Sequence, residues 1–341
     1  MKKRLKSIIS KFSKIKILVV GDLILDEYIY GNVERISPEA PVPVVWANER
    51  EFLPGGASNV AANIISLGSG VSLVGIVGKD DQADILLSEL KDKNIDTNGV
   101  FDVFNRHTSV KTRILGGHQQ VVRVDWENID EIKQKSEDKV VSFIKDNIKK
   151  YDAIVIEDYG KGLITPSVVT NAVSAARANE KIVTVDPKEE HFDYYKGVTA
   201  ITPNHKEAEN AIRNIKVKNA YSNLKVVSDK LTTDQDLNIA GTGMLDYLGV
   251  KGILITLGDK GMRLFEKDKK PYQIDTVAQE VFDVSGAGDT VIAAFTLALA
   301  CGATMQEASS IANFAAGIVV GRSGVATTTQ KELKQKIENH K

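Results

Sequence analysis

DVSGAGDTVIAAFTLALA, residues 283 to 300, sets a lone carboxylate, Asp289, behind a Gly-Ala-Gly turn that opens a long apolar run without a breaker. Such a run predicts a buried helix with its N-terminus at residues 286 to 288 and unpaired amides facing outward. Small residues let an anion approach the backbone closely, and the positive end of the helix dipole favours its charge. Gly286, Ala287 and Gly288 are thus a candidate anion hole. An aspartate there would repel a phosphate unless it faced a second reactant, so Asp289 reads as the group that receives a proton from a substrate hydroxyl. Phosphoryl transfer is the simplest chemistry for this pattern, although a Gly-rich turn before a helix, taken alone, is an ordinary cap.

Outward from this stretch, apolar β-branched runs alternate with helical patterns, which predicts an α/β fold with a mostly parallel central sheet and helices on both faces. Strands are expected at 17–20, 71–75, 153–156, 182–185, 200–202 and 252–256. Helices are expected near 57–67, 81–91, 132–148, 166–178, 206–212, 236–248, 287–300 and 305–320. Residues 28–46 and 108–125 alternate in strand fashion with no helix between their strands. They predict a small β-sheet lid over the substrate side, from segments of about 26–47 and 104–126 set within one domain spanning 1–341. Gly116-Gly117 is the expected hairpin tip, and Pro38, Pro41 and Pro43 mark an edge or turn.

The charge balance excludes some partners. Lys and Arg number 44 against 45 Asp and Glu, a net charge of -1, so nothing points to nucleic acid. The single cysteine, Cys301, has no internal disulfide partner, which fits a reducing compartment such as the cytoplasm. No segment reaches the roughly 18 consecutive apolar residues of a spanning helix. The basic N-terminus carries Leu5, Ile8, Ile9 and Phe12 at helical spacing. It predicts a short helix docked on the domain, with an anionic membrane surface as the other reading, and it lacks the core and cleavage site of a secretory signal.

Ligands of open α/β sheets bind beyond the carboxyl ends of the strands. Those ends carry Gly21-Asp22 and Asp26, then the turn Pro54-Gly55-Gly56-Ala57-Ser58-Asn59. Later strand ends carry Asp158-Tyr159-Gly160-Lys161-Gly162, Asp186-Pro187-Lys188, Asn204-His205-Lys206-Glu207 and Gly258-Asp259-Lys260-Gly261. Singly, these are turn residues, caps or solvated lysines, and His205 has no second histidine or cysteine at metal-site spacing. Their joint placement makes them site candidates.

GGASNVAANIISLG (55–68) and DVSGAGD (283–289) resemble the paired motifs of the ribokinase-related (PfkB) carbohydrate kinases. Within that family, GDLILDEYIYGNVERISPEAPVPVV (21–45), HQQVVRVD (118–125), EDYGKG (157–162), VDPK (185–188) and TPNHKEAE (202–209) look like the kinase of bacterial ADP-heptose synthesis. The similarity spans about residues 15–328. It implies a ribokinase-like fold and ATP-dependent phosphorylation of the anomeric hydroxyl of D-glycero-β-D-manno-heptose 7-phosphate, a step toward the lipopolysaccharide core. By the same resemblance Asp289 is the base, and Gly286, Ala287 and Gly288 form the anion hole. Asn204 and Glu207 match an N-x-x-E motif that organises Mg²⁺ and nucleotide phosphates, through water at Glu207. Gly258 and Gly261 flank the ATP phosphates, and Asn313 and Gly317 lie near adenine. Asp22, Asp26, Gly55, Gly56 and Asn59 hold sugar hydroxyls.

A sugar already bearing a phosphate needs cations, for which Arg35, Lys111, Arg113, Arg123 and Lys161 are the candidates. Relatives carry polar or basic residues where this chain has Gly116-Gly117, so one lid contact is expected to be missing. The exposed edges of the lid strands predict a homodimer through the lid, and the resemblance raises a monovalent cation beside the anion-hole loop. Some members are fused to a nucleotidyltransferase marked by H-x-G-H, a motif this sequence lacks, so that step is expected on a separate protein. Two other readings compete: a kinase of the same fold acting on another sugar or sugar phosphate, and a catalytically silent regulator that binds sugar or nucleotide.

Overall fold

The computed structural model describes residues 1–117, 119–217, 230–278, 281–322 and 324–340. His118, the first residue of the HQQVVRVD motif, therefore lies outside the described residues. In chain order the strands are β1 (Lys16–Gly21), β2 (Leu23–Ile36), β3 (Pro43–Gly56), β4 (Gly70–Val77), β5 (Asp96–Asp102), β6 (Ser109–Gly116), β7 (Gln119–Trp126), β8 (Ala153–Glu157), β9 (Ile182–Asp186), β10 (Ala200–Ile201), β11 (Gly252–Thr256), β12 (Met262–Glu266) and β13 (Tyr272–Ile274). The helices are α1 (Lys2–Ile9), α2 (Ala57–Ser66), α3 (Asp81–Asp92), α4 (Gln134–Asn147), α5 (Pro166–Ala178), α6 (His205–Val217), α7 (Asp234–Leu248), α8 (Ala287–Ala300), α9 (Met305–Val319) and α10 (Gln330–Asn339).

Among the described residues the main sheet runs β13-β12-β11-β10-β9-β8-β1-β4-β5. All neighbours from β11 to β5 are parallel, and β12 and β13 add an antiparallel edge. Successive side chains of a strand point to opposite faces, so each continuous apolar run feeds two cores. Ile17 and Val19 of β1 face one core, shared with α1, α2, α3, α8, α9 and α10. Leu18 and Val20 face the other, shared with α4, α5, α6 and α7. Leu5, Ile8, Ile9 and Phe12 are buried in the first core, so the apolar stripe of α1 docks on the domain, where Arg4 pairs with Glu307 at 3.0 Å.

The edge strands β5 and β13, and β12 next to the latter, are absent from the expected set. Edge strands are half-solvated, and β5 (DTNGVFD) carries polar residues where a central strand needs apolar ones. The strand expected at 200–202 is shorter, ending at Ile201.

The expected small sheet is present, in the order β3-β2-β6-β7. β2 starts in the core at Leu23 and becomes exposed beyond Gly31. It pairs antiparallel with β3, with bulges between Tyr30 and Gly31 and between Val33 and Arg35, and parallel with β6. Pro38 and Pro41 lie in the turn between β2 and β3, and Pro43 opens β3. No helix among the described residues is long and apolar enough to cross a membrane.

Candidate active site

Helix α8 begins where a side chain could not sit. Its N-cap, Gly286, has φ +73°, and a Cβ there would press on Asn59 Nδ2 at 2.7 Å. Asp289, in the first turn, is buried. Its Oδ2 accepts from Asn59 Nδ2 at 2.5 Å, and its Oδ1 accepts from Tyr159 Oη at 3.1 Å. Thr290 donates to Asn63 Oδ1 at 2.7 Å, and Asn63 donates to the Asn59 carbonyl at 3.0 Å, so polar bonds join α2 to α8. Burial pushes the Asp289 carboxyl up to about 6, opposed by the Asn59 and Tyr159 donors; Asp26 raises it further and Lys111 lowers it.

The Ala287 amide donates to Val284 O at 3.2 Å, closing a turn within its own loop. Of the three amides expected to face an anion, that of Ala287 is thus engaged within the loop. Among the described residues, the amides of Gly286 and Gly288 have no protein acceptor in this loop.

Glu157 ends β8 and Asp186 ends β9, two adjacent parallel strands. With Asp289 they bring three carboxylate oxygens within 4.8 Å of one another. Glu157 is 1% exposed and its Oε2 has no hydrogen-bond partner. Burial raises Glu157 well above the ordinary carboxyl range, and repulsion from Asp186 and Asp289 raises it further. Asp186 is raised by burial and by Glu207 and Asp289. A dication resolves such a cluster, and hard carboxylate oxygens suit Mg²⁺, so the residues present fit that ion.

Asn204 and Glu207 bond to each other at the start of α6. The Asn204 amide donates to Glu207 Oε2 at 2.8 Å, and the Glu207 amide donates to Asn204 Oδ1 at 2.9 Å. This is a capping box, in which each residue satisfies the amide of the other. Burial pushes Glu207 up to about 7, against the pull of the Asn204 amide.

Asp22, expected to hold sugar hydroxyls, is engaged with the protein's own amides. Its Oδ2 accepts the amides of Tyr159 at 2.9 Å and Lys161 at 3.0 Å, and its Oδ1 accepts that of Leu163 at 3.2 Å. It anchors the loop after β8, and burial with Asp158 nearby pushes it up to about 6. Arg106 grips the same loop from its carbonyl side, donating to the backbone oxygens of Lys161, Asn128 and Asp130. Asp26 pairs with Arg113 at 2.5 Å, and its Oδ2 sits where a Cβ on Gly55 would be. Gly56, at φ +55°, turns the chain into α2 against the carbonyl of Asp22. Lys111 of β6 lies 4.8 Å above the Tyr159 ring, and burial lowers its pKa. Lys161 pairs with Glu127 at 2.6 Å, and Arg123 makes a two-bond pair with Asp125 at 2.9 Å on the lid. Arg35 is exposed on the outer part of β2, away from this group.

On the opposite side of Asp289, Gly258 (φ +62°) and Gly261 (φ +77°) bracket a single helical turn after β11. A Cβ on Gly261 would collide with the Ile274 carbonyl. Asn313 of α9 donates to Asp275 O at 2.7 Å, and Gly317, one turn on, lets Val277 pack closely. These residues fix segment 275–278 beside the helix pair.

Sequence reasoning placed Tyr159 and Asp186 among the strand-end candidates without giving either a role, and it passed over Glu157 as a site residue. The signal available was an acid closing each of two apolar strands, IVIE and IVTVD; only the adjacency of β8 and β9 turns the two into a pair.

A doubly covered parallel sheet with a β lid, and an aspartate at a glycine-framed helix start, defines an ATP-dependent sugar kinase of ribokinase-like fold. The sequence matches the model of the pfkB family carbohydrate kinases over residues 14–332, and the chain belongs to that family. It is 41% identical over 332 residues to the bifunctional protein HldE of Geobacter metallireducens, covering 97% of this chain and 65% of that protein. It is 42% identical over 322 residues to HldE of Aliarcobacter butzleri, covering 94% of this chain and 64% of that protein. The chain thus spans just under two thirds of the length of these relatives. Ribokinase from Arabidopsis thaliana shares the fold with a TM-score of 0.72 at 21% identity, over 96% of this chain and 99% of that one. Phosphofructokinase-2 from Escherichia coli does so with a TM-score of 0.74 at 18% identity, over 95% and 99%.

Proposed function

We propose that this chain transfers the γ-phosphate of ATP to the anomeric C1 hydroxyl of D-glycero-β-D-manno-heptose 7-phosphate, giving the 1,7-bisphosphate for ADP-heptose synthesis. The observation that carries the reaction type is Asp289, buried at the start of α8 beside two free glycine amides. The acceptor rests on the sequence resemblance in residues 21–45, 157–162, 185–188 and 202–209, supported by the identity to HldE proteins.

In this reading Asn59 and Tyr159 hold Asp289 so that one carboxylate oxygen meets the sugar hydroxyl and takes its proton as the new P–O bond forms. The bond from the γ-phosphorus to the β–γ bridging oxygen breaks, and ADP leaves. A loose transition state asks for positioning and charge neutralisation more than for a strong base, and an anomeric hydroxyl is more acidic than an ordinary alcohol. The amides of Gly286 and Gly288 and the α8 dipole face the transferring oxygens. Glu157 and Asp186 would hold Mg²⁺, with Glu207 reaching it through water. When bound, the ion screens the phosphate charge. Asn204, Gly258, Gly261, Asn313 and Gly317 would frame the nucleotide, with a monovalent cation beside the 283–285 loop.

Asp26, Gly55, Gly56 and Asn59 would contact the sugar, and Lys111, Lys161 and Arg123 its phosphate. The lid would exclude water, the competing acceptor. Val33, Ile36, Trp46, Val122, Val124 and Trp126 are exposed on the lid, and β3 and β7 are its free edges, so two copies would pair there. A nucleotidyltransferase would consume the product. The test is an ADP-release assay across phosphorylated and unphosphorylated sugars, with the product position read by phosphorus NMR. Faster turnover of fructose 6-phosphate or ribose than of the heptose phosphate would overturn the acceptor, and absence of ADP release with every sugar would overturn catalysis.

A further inference from the structure

Three contacts fix Tyr159. Its amide donates to Asp22 Oδ2 at 2.9 Å, its ring lies 4.8 Å from the lid's Lys111 ammonium, and its hydroxyl donates to Asp289 Oδ1 at 3.1 Å. Asn59 takes the other Asp289 oxygen at 2.5 Å. A carboxylate held at both oxygens by donors from two separate elements cannot rotate about its Cβ–Cγ bond without losing one of them.

The two donors differ in kind. Asn59 is locked within α2, where its own oxygen faces Asn63 Nδ2 at 3.3 Å. Tyr159 sits on a loop whose amides Asp22 holds and whose Lys161 carbonyl Arg106 holds. Its ring is covered by a side chain of β6, the lid strand that pairs with β2 beside Asp26. The phenol is therefore the point where the lid, the loop after β8 and the base meet.

We infer that Tyr159 is a positioning residue, which sets the plane of the Asp289 carboxylate and ties it to the lid through Lys111. The inference rests on the reading of Asp289 as the base of a sugar kinase. Its role is geometric: a displaced base misses the near-attack arrangement, and misplacement of about 1 Å costs on the order of 10²-fold in rate.

The test is Tyr159→Phe, which removes one oxygen and keeps the ring under Lys111, run beside Asp289→Asn in the ATP-dependent phosphorylation assay. The expected result for Tyr159→Phe is a kcat lower by about 10- to 100-fold, with KM for ATP and for sugar within about twofold of wild type. Its melting temperature and nucleotide binding by calorimetry should match wild type, which certifies the fold. A Tyr159→Phe enzyme with wild-type kcat, or one whose defect lies only in KM or in melting, overturns the inference. Near-normal turnover by Asp289→Asn instead overturns the base assignment, so the two failures are separable.

Discussion

Asn59 Nδ2 and Asp289 Oδ2 are 2.5 Å apart across 230 positions of sequence. The bond joins the first turn of α2 to the first turn of α8, and it is buried. Both helices start at glycines with positive φ, Gly56 and Gly286, so the two halves of the site are cut to the same pattern.

Replacing Asp289 by Asn keeps the shape and removes the proton acceptor. Turnover should fall by about 10²- to 10⁴-fold, the usual worth of a positioned base. Nucleotide affinity by calorimetry should stay within a few-fold, since the glycine amides are untouched.

Glu157 gives a test of opposite sign for stability and function. Its buried, unpartnered oxygen faces two other acids, so Glu157→Gln removes repulsion. Melting in EDTA near neutral pH should rise, whereas the increase in melting temperature on adding millimolar Mg²⁺ should shrink. A Mg²⁺ response equal to wild type would show that the ion binds elsewhere.

The pH dependence follows from the same cluster. Asp22 and Asp289 rise from 3.8 to about 6, and Glu207 from 4.5 to about 7. A folded pKa above the unfolded one means that the folded state binds more protons, so this contribution to stability falls as pH rises from about 4 to 7. Denaturant melts in EDTA across that window should show these groups losing stability. Saturating Mg²⁺ should flatten the slope, because ionised carboxylates are the form that binds it. A steeper slope with Mg²⁺ would contradict the assignment.

Gly55 separates sugar recognition from catalysis. A Cβ at this position would meet Asp26 Oδ2 and must displace the Asp26–Arg113 pair. Gly55→Ala should raise the KM for sugar by about tenfold or more, corresponding to about 1.4 kcal/mol, and leave the KM for ATP unchanged. Paired titrations of the two substrates in one assay check it.

Much of this architecture was legible because its signals are local. The run after Asp289 reads as a buried helix from its own residues, and the central strands read as continuous apolar segments because both their faces are covered. β5 and β13 were not legible, since edge position is decided by neighbours in space. The acidic cluster was hidden for a related reason: Glu157 and Asp186 are 29 positions apart and meet only because β8 and β9 pair in register, Glu157 opposite Asp186. Asp22 shows the converse. Its place at a strand end made it a site candidate, but the three loop amides that its buried carboxylate accepts come from residues 137 to 141 positions away and were not legible.

The two bulges of β2 lie outboard of Asp26, at Tyr30/Gly31 and Val33/Arg35, while Leu23 to Tyr30 stay in step with Gly56 to Glu49. A bulge is where a strand bends, so flexing of the clasp is absorbed beyond Tyr30. The inboard stretch then behaves as a stiff plate packed against α2 and α3. Whatever the outer flap meets, whether solvent or a twin, the stretch that would measure the carbohydrate in the proposed reaction keeps its calibration.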